Sequence, residues 1–438
     1  MRKFVSVLAG ALALAAASFA SAQNQTTAPS IAGTWQGTLQ VGKGLRIVLH
    51  VSPDGQTGLK GELISVDQAP TPIPLSSISL TGTDFSFAVS AFNIKYHGAL
   101  ASDGNSIKGT FNQGGDIPLE LDRATAATEW KIDASPHKIQ FITVDKDVKL
   151  EVLDWGGQGR PLVLLAGLGS TGHAFDQIAP KLAATFHVFA ITRRGFAPSS
   201  IPDAIETNYS AQRLGDDVLA AIHQLKLEKP IVAGHSIAGE ELSYIGTRHP
   251  QEVAGLIYLD AGYPYAFYDA IRGDASVDSD ELRRKLDLLV VPRSNADQKK
   301  LIDELLTTDL PAIQKDLVKM EKDLATTPDA PSLPSLDEMK IPLAVIRGET
   351  KFSTVKCPVL AIFASPHDFG AALGGMTPAQ RAAMEAMDAD FTGPQIKAFQ
   401  QGNPNAKVVV LAHASHAVFV SNEADVLKEI NAFAAALK

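Results

Sequence analysis

One hexapeptide in this chain has the residue types and surroundings for covalent chemistry: Gly234-His235-Ser236-Ile237-Ala238-Gly239. The apolar run 231–233 precedes it and a helix-forming segment follows. A strand-to-helix turn of this kind holds a serine in strained geometry at a sheet edge. Small residues two before and two after it let the chain pack tightly. Ala238 stands where the usual pattern has glycine, and Gly239 follows at once. A serine hydroxyl is a weak nucleophile until a base takes its proton. Candidate bases occur far along the chain in Ala412-His413-Ala414-Ser415-His416, after the last apolar run. The i, i+3 spacing of His413 and His416 could suggest a metal site, but no carboxylate or cysteine cluster joins them. Candidate acids are Asp368, in Ser365-Pro366-His367-Asp368, and Asp260, at the end of the run 256–259.

These groups lie too far apart in sequence to meet without an extended scaffold. The chain has 438 residues, which suggests two or three domains. Hydrophobic residues make up 45% and charged residues 20%, enough apolar material for real cores. The formal net charge is -9 and no long basic run occurs, which argues against binding nucleic acid through phosphates. The single cysteine, Cys357, excludes an intramolecular disulfide and a cysteine metal cluster. Arg2 and Lys3, an apolar stretch over 4–19 and Ala20-Ser21-Ala22 have the layout of a cleavable secretory signal, with the cut before Gln23. That implies a periplasmic or secreted protein. No other segment has 18 consecutive apolar residues, so no integral membrane span is expected in the mature chain.

Residues 31–123 carry period-two alternation, as in Leu45, Ile47, Leu49 and Val51, with turn signals at Asp54-Gly55 and Asp103-Gly104. They predict a small antiparallel barrel or sandwich. Gly33-Thr34-Trp35 and Gly109-Thr110-Phe111 resemble each other, as first and last strands of a closed sheet would. Residues 124–136 read as a linker. Beyond it, strand candidates at 149–153, 162–165, 187–191, 231–233, 256–259, 359–363 and 408–411 alternate with helical stretches, including 211–225 and 237–248. This rhythm predicts a mostly parallel, doubly wound α/β sheet over 137–438. Residues from about 263 to 356 interrupt it with a charged, helical insertion long enough to form a cap. Ile313, Leu317, Met320 and Leu324 fall on one helical face there, and Pro328, Pro331 and Pro334 then break the pattern.

With Ser236 in that context, residues 137–438 resemble the α/β-hydrolase fold superfamily. Ala166-Gly167-Leu168-Gly169 matches a loop that usually begins His-Gly. Thr192-Arg193-Arg194-Gly195-Phe196-Ala197 resembles the D-x-R-G-x-G turn, departing from it at Thr192 and Ala197. The resemblance implies Ser236 as nucleophile, His416 as base and Asp368 as the orienting acid. Asp260 is the alternative, because some relatives place the acid one strand earlier. It also implies an oxyanion hole from the backbone N–H groups of Ile237 and Leu168. His173 and Phe175 are possible pocket residues. His235, Glu240, Glu241 and Arg194 read as packing, helix-end and clamp residues.

The function so implied is an exported serine hydrolase acting on an ester-like acyl bond of a small molecule, with neither metal nor organic cofactor. No Gly-Lys-Ser/Thr or G-x-G-x-x-G motif calls for a nucleotide. Two other readings stay open: an aminopeptidase-type amide hydrolase, and an inactive scaffold whose β-domain is the working binding module. The β-domain carries no recognisable acid–base constellation. It resembles β-domains that precede hydrolase domains in some exported bacterial proteins, and its roles could include a cell-envelope partner, self-association or shaping the substrate entrance.

Overall fold

The computed structural model describes residues 31–437 except 41–43, 56–57, 67–68, 132–134, 325–335, 337–338 and 371–375. The expected signal segment and its cut site, and the prolines at 328, 331 and 334, lie outside the described residues.

The amino-terminal unit is one curled antiparallel sheet. Its strands are β1 (Gly33–Leu39), β2 (Leu45–Asp54), β3 (Gly58–Ser65), β4 (Ala69–Pro74), β5 (Ser77–Thr81), β6 (Asp84–Val89), β7 (Ile94–Leu100), β8 (Ser106–Asn112) and β9 (Asp116–Arg123). They run in the order β4-β3-β2-β1-β9-β8-β7-β6-β5. The first and last strands are therefore neighbours in the middle, and the edges are β4 and β5. The resemblance between the segments at Gly33 and Gly109 marks no edge. The sheet curls until its two ends approach: a side-chain carbon on Gly61 of β3 would stand 3.6 Å from the Ile78 side chain of β5. Alternate side chains fill the concave face: Trp35, Leu49, Phe85, Tyr96 and Leu121 are all buried. Trp35 donates from Nε1 to the Ile31 carbonyl at 2.9 Å, and the Arg123 guanidinium lies 4.2 Å from its ring centre.

The second unit is an eight-stranded sheet of β10 (Lys138–Asp145), β11 (Val148–Gly156), β12 (Pro161–Leu165), β13 (His187–Ile191), β14 (Ile231–His235), β15 (Gly255–Leu259), β16 (Val359–Ala364) and β17 (Lys407–Leu411). Its order is β10-β11-β13-β12-β14-β15-β16-β17, antiparallel at the β10–β11–β13 edge and parallel from β13 onward. Strands β15 and β16 are buried along their whole length, as expected for strands covered on both faces. The seven expected strands are all present. Strand β10 escaped the sequence reading because it lies at the edge, with Ile139 and Phe141 half in water.

Between β15 and β16 the insertion forms the helices Ala275–Leu288, Asn295–Glu304, Leu310–Leu324 and Lys340–Ile346. The expected apolar stripe differs from a core face: Leu317, Met320 and Leu324 are exposed. A further helix, Pro378–Gly402, follows β16. It starts with a capping box in which Thr377 and Gln380 exchange hydrogen bonds. No described helix is long and apolar enough to cross a membrane.

Trp35 anchors the first unit, so Trp35→Ala should cost about 3–5 kcal/mol. Urea unfolding followed by circular dichroism would measure it.

Candidate functional site

Strand β14 delivers the nucleophile candidate. Ser236 has φ +55°, left-handed for a non-glycine residue, and opens a 3-10 turn (Ser236–Ala238) that runs into the helix Gly239–Arg248. A side-chain carbon on Gly234 would stand 3.0 Å from the Ala238 methyl. Alanine is tolerated at the second small position because the first is glycine. On Gly167 the same carbon would come within 2.9 Å of His235 Nδ1 and 3.2 Å of Ser236 Cβ, so the loop after β12 passes directly against the elbow. Leu168 on that loop packs in a small cluster with Ile237, Tyr209 and Val345. Next to it Gly169, at φ +78°, lies beside the Phe92 ring of the amino-terminal unit.

Buried charges hold this loop. Arg193 donates from Nε to Glu241 at 2.6 Å and from a guanidinium nitrogen to the Ala166 carbonyl at 3.0 Å. Arg194 grips Asp217 through two hydrogen bonds of 2.6 and 2.5 Å. Thr192 stands where the family pattern has aspartate. Its hydroxyl accepts Gly172 N–H at 2.9 Å and donates to Glu151 at 2.6 Å, so it pins the turn beyond the loop. Glu240 is fully buried and neither carboxylate oxygen has a hydrogen bond. Burial, then Glu241 and Glu349, push its pKa well up.

The carboxylate that meets His416 is Asp260, not Asp368. Asp260 ends β15 at φ +49° and is completely buried. Its Oδ2 lies 2.6 Å from His416 Nδ1 and 2.7 Å from His367 Nε2. Its Oδ1 accepts Ala364 N–H and the Tyr263 hydroxyl, each at 2.9 Å. Asp368 is exposed, and its Oδ1 accepts Gly370 N–H at 2.7 Å. The chain leaving β16 turns so that His367, rather than Asp368, faces inward. His413 is exposed too.

Protonation follows from these contacts. A carboxylate only accepts, so His416 carries its proton on Nδ1 and leaves Nε2 free. His367 has carboxylates at both nitrogens, Asp260 at 2.7 Å and Asp388 at 3.0 Å, and must donate to both as an imidazolium. Burial lowers its pKa, but the hydrogen bonds and charges of Asp260 and Asp388 raise it overall. For Asp260, burial favours the neutral acid; the hydrogen bonds from His367 and His416 prevail and hold it at about 2. His235 donates from Nε2 to the His416 carbonyl at 3.0 Å. Burial and the neighbouring His416 push it down to about 3, so it is neutral.

Ser236 and His416 line a cavity of about 580 Å³ together with Tyr263, Tyr265, His367, Phe369, Phe391, Asp274, Glu349 and Asp388. Tyr265 shares this cavity wall with Ser236, and burial pushes its hydroxyl pKa well up. His173 and Phe175 do not reach this cavity. Phe175 is core, 4.9 Å from the Phe419 ring. His173 lies 3.1 Å from Asp176 and 3.7 Å from Glu151. Burial lowers its pKa, but those carboxylates raise it to about 9. Sequence reasoning missed Tyr263, Tyr265, His367, Glu349 and Asp388. Only His367 had a signal, its place beside Asp368 at a strand end. Among the described residues two clusters could hold a metal ion, Asp260-His367-His416 and His137-His173-Asp176. In the first, imidazoles already balance the carboxylate, and in the second His173 faces Asp176.

A sequence profile described as the alpha/beta hydrolase family matches residues 162–429. An epoxide hydrolase A of Mycobacterium tuberculosis is 36% identical over 114 residues, 26% of this chain and 35% of that protein. A pimeloyl-[acyl-carrier protein] methyl ester esterase of Aeromonas hydrophila is 25% identical over 280 residues, 63% of this chain and 96% of that protein. An AB hydrolase superfamily protein of Bacillus subtilis is 31% identical over 136 residues, 28% of this chain and 49% of that protein. The chain thus spans less than half the length of two of these relatives.

The depressed Asp260 pKa stabilises the fold above the unfolded value near 4, and that stability is lost as pH falls toward 2. Unfolding measured from pH 5 to pH 2 should show the wild type losing about 2 kcal/mol more than Asp260→Asn.

Proposed function

The chain belongs to the alpha/beta hydrolase family, and on that premise we propose that it is a serine hydrolase cleaving an ester-like acyl bond. One observation carries this reading: Ser236, held at φ +55°, shares a cavity with a histidine whose Nδ1 is 2.6 Å from a buried carboxylate. Ser236 Oγ attacks the acyl carbon while its proton passes to His416 Nε2. The carbonyl electrons move onto oxygen, where the N–H groups of Ile237 and Leu168 stabilise the charge, each such donor contributing on the order of 3 kcal/mol. His416 then protonates the departing alcohol. Water, losing a proton to the same nitrogen, attacks the acyl-enzyme; the bond from the acyl carbon to Ser236 Oγ breaks, His416 returns the proton to Oγ, and the acid is freed. In this scheme Asp260 takes the orienting role: it fixes the imidazole tautomer and stabilises the imidazolium that forms.

His367 supports this arrangement as a positioning residue, since it donates to the same Asp260 oxygen that His416 contacts and helps fix that carboxylate in place. The serine hydroxyl argues against a dehalogenase-type reaction, which in this superfamily uses a carboxylate nucleophile. We also propose that the protein is exported, with residues 1–22 removed as a signal, and that the β-domain shapes the entrance to the site.

A fluorophosphonate should label Ser236 in the folded protein, and an unlabelled Ser236 would refute the nucleophile. With p-nitrophenyl acetate, Asp260→Asn should lower turnover roughly 10³–10⁴-fold. Asp368→Asn should leave it nearly unchanged, and the reverse ranking would return the acid to Asp368.

A further inference from the structure

The wall of the cavity opposite in character to its catalytic groups is aromatic and acidic. Tyr263, Tyr265, Phe369 and Phe391 supply rings; Asp274, Glu349 and Asp388 supply carboxylates. Neither Lys nor Arg is among the described lining residues. Two of the three acids are committed. Asp274 caps the helix Ala275–Leu288, accepting from the N–H groups of Ser276 and Val277 at 3.0 and 3.2 Å. Asp388 accepts from His367.

Glu349 is different. It is 5% exposed, and among the described residues its carboxylate has neither a hydrogen bond nor an ion pair. The nearby cation is spent elsewhere: Arg284 donates to the Glu349 backbone carbonyl at 2.9 Å and to Glu206 and Glu281. A carboxylate that the protein largely encloses and gives no partner is costly to ionise. Such a group, aimed into a cavity, asks for a donor that arrives with the ligand.

We propose that this pocket selects a substrate carrying a protonated amine, which donates to Glu349 while its carbon stem lies between the aromatic rings. Calling the ligand a substrate rests on the hydrolase reading above. Rings attract a cation through their negative faces, and a carboxylate supplies direction. An anionic substrate would meet Glu349, Asp274 and Asp388, and the imidazolium of His367 on that wall is already held between Asp260 and Asp388.

The charge state of the empty pocket sets a pH dependence. Burial, then Asp274 and Asp280, push Glu349 up to about 8, with Arg284 opposing weakly. An ammonium must therefore displace a proton from Glu349 at neutral pH, and its affinity should rise as pH goes from 6 to 8. A neutral ligand should show no such rise.

Calorimetric titration of the wild-type protein tests this without turnover, with benzylammonium, benzyl alcohol and benzoate as probes. At pH 8 benzylammonium should bind at least about tenfold more tightly than benzyl alcohol, a difference of one charged hydrogen bond. Benzoate should bind weakest, and Glu349→Gln should erase most of the preference for the ammonium. Benzyl alcohol binding as well as benzylammonium would overturn the proposal, whatever the variant does. So would a preference that survives Glu349→Gln in protein with an unchanged circular dichroism spectrum. An unreactive Ser236 would remove the hydrolase reading and leave this binding result standing.

Discussion

One carboxylate, taken entirely out of water, organises the catalytic end of this molecule. Asp260 accepts from four donors: His416, His367, Tyr263 and the Ala364 amide. Four donors are about what an ionised carboxylate can receive, and they offset the cost of desolvating it. The constraint spreads outward. The Ala364 amide ties the end of β16 to the end of β15. Tyr263 ties in the chain just before the cap. His367 ties in the loop after β16 and, through Asp388, the long helix behind it. The imidazole of His416 is one of several groups whose orientation depends on that buried charge.

The same economy governs the loop facing the elbow. Glycine at 167 lets the loop touch Ser236, and Arg193 fastens its carbonyls to the helix that Ser236 begins. Loop and elbow are thus locked by a buried ion pair on one side and apolar packing of Leu168 on Ile237 on the other. Strain is concentrated where function is proposed, since Ser236 and Asp260 both hold left-handed backbone angles.

The central strands were legible because burial on both faces leaves short continuous apolar runs, as at 256–259 and 359–363. The elbow was legible because its glycine and serine stand at fixed offsets from such a run. The choice of acid was not. Asp260 and Asp368 each follow a buried strand, and only the direction of the turn after β16, which brings His367 inward, separates them. The sequence order Ser, Asp, His holds for either residue. The stripe through Leu317 and Met320 announced the helix Leu310–Leu324 but not its exposure, because helical periodicity gives a face without saying what covers it. Glu349 and Asp388 gave no signal at all: a carboxylate in a charged helical region looks solvated until the fold encloses it.

The Phe92 ring beside Gly169 joins the two halves of the chain at a sensitive place. Gly169 belongs to the short stretch that faces Ser236, so the curled sheet forms part of the housing around that stretch. A displacement of that sheet would be felt at the backbone amides of the loop before it reached the nucleophile. Architecture, more than any chemistry of its own, is what the amino-terminal half contributes at this loop.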